Sequence, residues 1–161
     1  MDRCAKLMST TALASCTLLG VPMPAAALTT QHATACVPYL IEQGSDSLSY
    51  GANGVFGSSS NPPTDELAVL CPLVRATEVA PGGLFGVWID GTSGGITGVL
   101  CTLYSYSYTN ALLGAQRSSM SSGVFDVQMT LPASQVPPYS SQYLICFLGP
   151  GAGLFDFEPV Q

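Results

Sequence analysis

Along residues 47–160, apolar and polar side chains alternate with a period of two, in short runs separated by clusters of Gly, Pro, Ser, Asn and Asp. Such a period puts successive side chains on opposite faces of a strand, and no run of about ten residues carries good helix formers at helical spacing. Strands are therefore predicted at 47–56, 67–71, 84–90, 97–108, 124–131, 142–148 and 154–160, with little helix. The turn clusters between them, at 57–63, 81–83, 90–95 and 150–153, have the spacing of an antiparallel β-sandwich of about seven strands, immunoglobulin-like or jelly-roll-like. A more closed barrel fits the same pattern.

The clearest alternation is at 124–131, where Phe125, Val127, Met129 and Leu131 form an apolar face while Asp126, Gln128 and Thr130 form a wet one. In the last segment Phe155 and Phe157 take one side, and Leu154, Asp156 and Glu158 the other. The two carboxylates read as solvent-facing charges that protect a sheet edge from further pairing. Trp88 shares a side with Leu84 and Gly86 and is expected in the core. Asp90 is expected to open a hairpin, its side chain bonded to the backbone that follows.

Residues 1–27 behave differently. Arg3 and Lys6 precede an apolar stretch through Leu18, Leu19 and Val21, then small residues at Ala25 and Ala27, the pattern of a secretory signal peptide. The apolar run falls short of the ~20 residues a bilayer span needs, and no later segment could span. Cleavage is expected after Ala27, with a second small-x-small site at Ala33-Thr34-Ala35. Leu13-Ala14-Ser15-Cys16 offers a competing lipobox, in which Cys16 would carry lipid, but the residues after it stay apolar where a tether is normally polar. The expected organisation is a leader at 1–27, a flexible lead at 28–35 and one domain at 36–161.

Composition narrows the function classes. The chain has 161 residues, 47% hydrophobic and 9% charged, with four Lys and Arg against ten Asp and Glu. That length holds one domain, and that balance argues against partners held by their phosphates, whether nucleic acid or an anionic membrane surface. Without the leader only Arg75 and Arg117 face nine acids, a formal charge of −7. Four cysteines then remain, Cys36, Cys71, Cys101 and Cys146, and an even count in an exported chain reads as two disulfides. Cys101 shares a side with Val99 and Leu103, and Cys146 with Leu144 and Leu148, which favours Cys101–Cys146 and hence Cys36–Cys71. Pairing Cys71 with Cys146 around Trp88 would imitate an immunoglobulin bridge, but Tyr143 lies three residues before Cys146 rather than two. There is no CxxC pair and the single histidine, His32, falls in the lead, so no metal site, no cofactor and no Cys-His nucleophile are expected.

Several short motifs are shared with other proteins. Cys36-Val37-Pro38, Tyr50 with Asn53-Gly54, the run VLCPLVR ending at Arg75, VLCTLYS from Val99, and YLICFL from Tyr143 together resemble a family of uncharacterised secreted proteins of Gram-negative bacteria. Its most specific element is Cys-Pro-Leu-x-Arg at Cys71 to Arg75. The resemblance implies export and a β-fold and carries no activity; this chain departs from the pattern in its Gly and Pro content around 132–153.

Among candidate sites, only carboxylates offer catalytic chemistry. Asp65 and Glu66 would point apart on a strand, whereas Asp156 and Glu158 share a side at ~7 Å, near the separation glycoside hydrolysis uses. Solvated strand charges are the simpler reading, and calcium at Asp90 or at Asp65 and Glu66 lacks a spaced Asp/Asn loop. Tyr104, Tyr106 and Tyr108, at every second position, would form one aromatic row able to stack on sugar rings or serve as a cross-strand ladder. Arg75 is expected to pair with a carboxylate near the Cys36–Cys71 bridge. The sequence thus points to a monomeric, non-enzymatic module, secreted, periplasmic or on the outer cell surface, with a structural or adhesive role. Its alternative is a carbohydrate-binding module using the tyrosine row, and the candidate partners are a polysaccharide or a cell-surface protein.

Overall fold

The computed structural model describes residues 30–39, 48–58, 67–74, 79–94 and 98–160. The leader, Cys16, Asp65, Glu66 and Arg75 lie outside them. The described strands are β1 (Gln31–His32), β2 (Val37–Pro38), β3 (Leu48–Gly51), β4 (Gly54–Gly57), β5 (Leu67–Leu73) and β6 (Leu84–Thr92). They continue as β7 (Val99–Tyr106), β8 (Leu112–Met120), β9 (Val124–Pro132), β10 (Ser141–Leu148) and β11 (Gly153–Val160). Short 3-10 turns at Ala33–Ala35 and Ala133–Gln135 are the only helical segments among the described residues.

All pairings are antiparallel and make two sheets. Sheet A runs β3-β4-β11-β6-β9 with β1 also on β11, and sheet B runs β2-β5-β10-β7-β8. The order follows one rule: β7 pairs with β8, β6 with β9, β5 with β10 and β4 with β11, as if the chain were folded in half at the β7–β8 turn. Rolling that long hairpin brings β11 beside β6 and β10 beside β7. This is the jelly-roll arrangement of an all-β sandwich, one of the two forms expected from the sequence.

The core lies between the sheets, and on β7, β9 and β10 it is what the alternation foretold, whereas on β6 it takes the side opposite Trp88. Val99, Cys101 and Leu103 of β7, Leu144, Cys146 and Leu148 of β10, and Phe85, Val87 and Ile89 of β6 are fully buried. On β9, Phe125, Met129 and Leu131 are buried with Val127 packed behind them, while Asp126 and Gln128 are exposed. Both favoured disulfides are present. Cys101–Cys146 joins directly opposed residues of neighbouring strands, Cα atoms 4.1 Å apart. Cys36–Cys71 ties the N-terminal segment to β5.

Five expectations are corrected. Residues 47–56 are not one strand but the β3–β4 hairpin, reversed at Ala52-Asn53 with Gly54 at φ 128°, a conformation open to glycine. The 28–35 lead is part of the fold from Gln31: β1 pairs with β11, and Ala33 is fully buried. A β-bulge between Leu154 and Asp156 puts Leu154 and Phe157 into the core together, leaving Phe155 to pack on Phe56 at 6.0 Å between ring centres. Because β11 is flanked by β6, β4 and β1, Asp156 and Glu158 guard no edge. Finally, β8 is a full strand that the sequence reading lacked.

Candidate aromatic groove on sheet B

Strand β7 buries Val99, Cys101, Leu103 and Ser105, so Leu100, Thr102, Tyr104 and Tyr106 face outward from sheet B. The tyrosine row therefore survives for Tyr104 and Tyr106, whose ring centres are 6.0 Å apart and tilted by 34°. Tyr108 does not belong to it. The strand ends at Tyr106, and Tyr108 sits in the following turn, 84% exposed and away from the row.

Neighbouring strands supply what the row alone lacks. Tyr143 of β10 is the register partner of Tyr104, and its ring centre lies 6.4 Å from that of Tyr106. Ile145, two residues on, is paired with Leu70 of β5, and Tyr39 follows β2 at the sheet edge with its amide bonded to the Ala68 carbonyl. These side chains enclose an open groove of about 250 Å³. Its rim is Asn110, held at φ 61° in the β7–β8 turn. The turn is pinned by Ser107, whose hydroxyl accepts from the Thr109 and Ala111 amides while its carbonyl accepts from the Asn110 amide. Asn tolerates the left-handed conformation better than other non-glycine residues.

Tyr143 also bounds a second depression, of about 340 Å³, lined by Pro72, Leu73, Ser140, Ser141 and Gln142. The buried Gln142 amide donates to the hydroxyls of Ser140 and Ser105, and the Ser140 hydroxyl donates to the Pro137 carbonyl. Six of the chain's seven tyrosines lie on this face or in the two connections bordering its end; Tyr50 on β3 is the exception. Neither depression has a charged residue in its lining.

The opposite face carries the charge. Asp156, Asp90 and Asp126 are register partners across β11, β6 and β9, and Glu158 lies two residues beyond Asp156 on the same side. Burial, then Asp126, Asp156 and Glu158, raise the Asp90 carboxyl above its ordinary value. Asp90 is thus a mid-strand residue, not the hairpin opener expected. Trp88, placed between Glu158 and Gln128, is 36% exposed on this face rather than a core anchor. His32 pairs with Asp156 in register and is satisfied locally: Nε2 donates to the Ala52 carbonyl while Nδ1 accepts from the Thr34 amide. Among the described residues, no group of three or more His, Cys, Asp or Glu is placed to hold a metal ion. Arg117, the one Arg or Lys among the described residues, faces outward on β8 opposite Thr102.

Tyr143 and Tyr39 were missed by the sequence reading. Their signal was faint: Tyr143 shares the outward parity of Ile145 and Phe147, but which strand stands beside β7 is a matter of register.

No family model matches the chain, and no curated protein matches it. Solved structures do resemble it. TmCBM61, in complex with β-1,4-galactotriose, is 11% identical at a TM-score of 0.43, over 84% of this chain and 88% of that one. The Arthrobacter globiformis T6 isomalto-dextranase, complexed with panose, is 12% identical at a TM-score of 0.44, over 82% of this chain and 23% of that one. The enzymatically active domain of bacteriophage CBA120 tailspike protein 4 is 9% identical at a TM-score of 0.39, and this chain spans only 14% of its length. Its own two antiparallel sheets make the chain an all-β sandwich, and its two disulfides suit a non-reducing, extracellular environment.

Proposed function

We propose that the protein is an exported, non-catalytic carbohydrate-binding module whose ligand lies on the tyrosines of sheet B. The observation that carries this reading is the groove of Tyr104, Tyr106, Tyr143 and Tyr39, in which two strands and the segment after β2 converge on one aromatic surface. Tyrosine suits a sugar at both ends of its side chain: the ring face covers the axial C–H patches of a pyranose, and the phenol hydroxyl exchanges hydrogen bonds with sugar hydroxyls. An open groove suits a chain passing through better than a small molecule that must be enclosed.

The described carboxylates, Asp90, Asp126, Asp156 and Glu158, support a binding role rather than hydrolysis. They stand on the outer face of sheet A, and packed sheets are ~10 Å apart before the outward side chains are added. A glycan held by Tyr104 and Tyr143 cannot reach Asp90 or Glu158. Export through the 1–27 leader, and the resemblance to the Gram-negative secreted family through the Cys-Pro-Leu-x-Arg motif, fit the reading. A purely structural or adhesive module explains the sandwich equally but leaves the concentration of tyrosines on one face without a purpose.

Co-sedimentation of the oxidised domain with insoluble polysaccharides tests the proposal. The wild type is expected to pellet with at least one of them, and Tyr104→Ser combined with Tyr143→Ser to stay in the supernatant. Tyr108→Ser should pellet like the wild type. Retention of the double variant in the pellet overturns the assigned surface.

A further inference from the structure

We propose that the ligand is a neutral, linear oligosaccharide that crosses the Tyr143 ring and occupies both depressions, stacking in one and hydrogen bonding in the other. This rests on the glycan-binding reading above and deepens it.

Three observations carry it. First, the aromatic groove alone, at about 250 Å³, is below the ~300 Å³ at which ligand pockets begin, while the second depression adds about 340 Å³ on the other side of one shared residue. Second, the two differ in chemistry. The groove offers ring faces with Leu70 and Ile145, whereas the second depression offers the Ser140 and Ser141 hydroxyls. Ser140 is positioned before any ligand arrives, its hydroxyl donating to Pro137 while it accepts from Gln142. Such preorganisation lowers the ordering cost of binding. Third, the lining of neither side holds a carboxylate, ammonium or guanidinium group. A charged sugar would lose hydration here with no counter-charge to replace it.

Tyr139 borders the second depression in sequence. It directly precedes Ser140, holds φ at 65° and is 84% exposed. A bulky residue in the left-handed region is uncommon and marks strained backbone of the kind found at ligand sites.

The experiment is titration calorimetry with β-1,4-linked gluco-, xylo-, manno- and galacto-oligosaccharides of two and six residues, and with hexagalacturonate. In the series that binds, the hexamer is expected to bind about tenfold tighter than the dimer, the effect of a further hydrogen-bonded subsite. Ser141→Phe, at an exposed strand position where Phe is well tolerated, should bring the hexamer down to the dimer's affinity and leave the dimer unchanged. Ser141→Ala should fall between the two.

Equal affinity for dimer and hexamer in the wild type overturns the second subsite. Tighter binding of hexagalacturonate than of the neutral galactose hexamer overturns neutrality and turns attention to Arg117. Absence of binding to every sugar overturns the glycan reading itself.

Discussion

Asp90 has a carboxylate on each side and no Arg or Lys opposite it among the described residues. Like charges directly opposed on a sheet are destabilising by ~0.2–1 kcal/mol. Its raised carboxyl has a definite sign for stability. The folded state holds the proton more tightly than the unfolded chain, so the contribution is complete below the ordinary Asp range and is lost as pH rises through the folded-state value. Asp90→Asn is therefore expected to raise the melting temperature at pH 7 by about 1–4 °C, with the gain vanishing below about pH 4. Thermal scans of both proteins across that range check it. Side-chain roles were only partly legible at this scale. Tyr104 and Tyr106 could be read from parity, but Trp88 looked like a core residue because hydrophobicity says which residues favour burial and not which face of a strand receives them. Asp90 looked like a turn residue because Gly91 follows it.

Strands were legible where one face is strongly apolar, as in β9 and β10, and lost where packing is polar. Strand β8 turns Gly114, Gln116 and Ser118 inward, so no hydrophobic alternation announces it. Instead the Gln116 side-chain oxygen accepts from the Thr130 amide of β9, and Gly114 lies against Gln135. That contact joins the edges of the two sheets. The β11 bulge was equally hidden, since it inserts one residue into a pattern whose period is two. Gly91 illustrates how closely the elements meet: a Cβ there would collide with the Gly153 carbonyl and the Phe125 ring, whereas one on Gly51 would meet nothing within 4 Å. Gly91→Ala should thus cost about 1–3 kcal/mol, and Gly51→Ala less than about 0.5 kcal/mol, in urea unfolding. Equal midpoints for the two variants contradict the packing at the β6–β9–β11 junction.

At the level of the whole molecule, one face is aromatic and uncharged in its grooves, and the other carries all four described acids. The sandwich, its two disulfides and the inward cysteines were readable because parity and cysteine count are local properties. The jelly-roll order and the groove were not, because both depend on which distant strands lie side by side. Cys101–Cys146 closes a separation of 45 residues and Cys36–Cys71 one of 35. Loops of that length constrain the unfolded chain by about 2–4 kcal/mol each. Replacing Cys101 and Cys146 together by Ala is expected to lower stability by at least that amount, since both sulfurs are fully buried. Denaturation of the double variant under non-reducing conditions measures it.

The chain folded in half at the β7–β8 turn has a consequence for its biogenesis. The last strand of the sandwich, β11, is an interior strand of sheet A, and β10, which precedes it in the chain, is an interior strand of sheet B. Neither sheet can close while its partner residues are still within the ribosome, and contacts so distant in sequence form slowly. Completion of the sandwich accordingly waits for these two strands. For a protein read as exported, that delay keeps the domain threadable through a translocation pore until β10 and β11 have been made, and Cys101 meets its native partner only when Cys146 arrives on the far side.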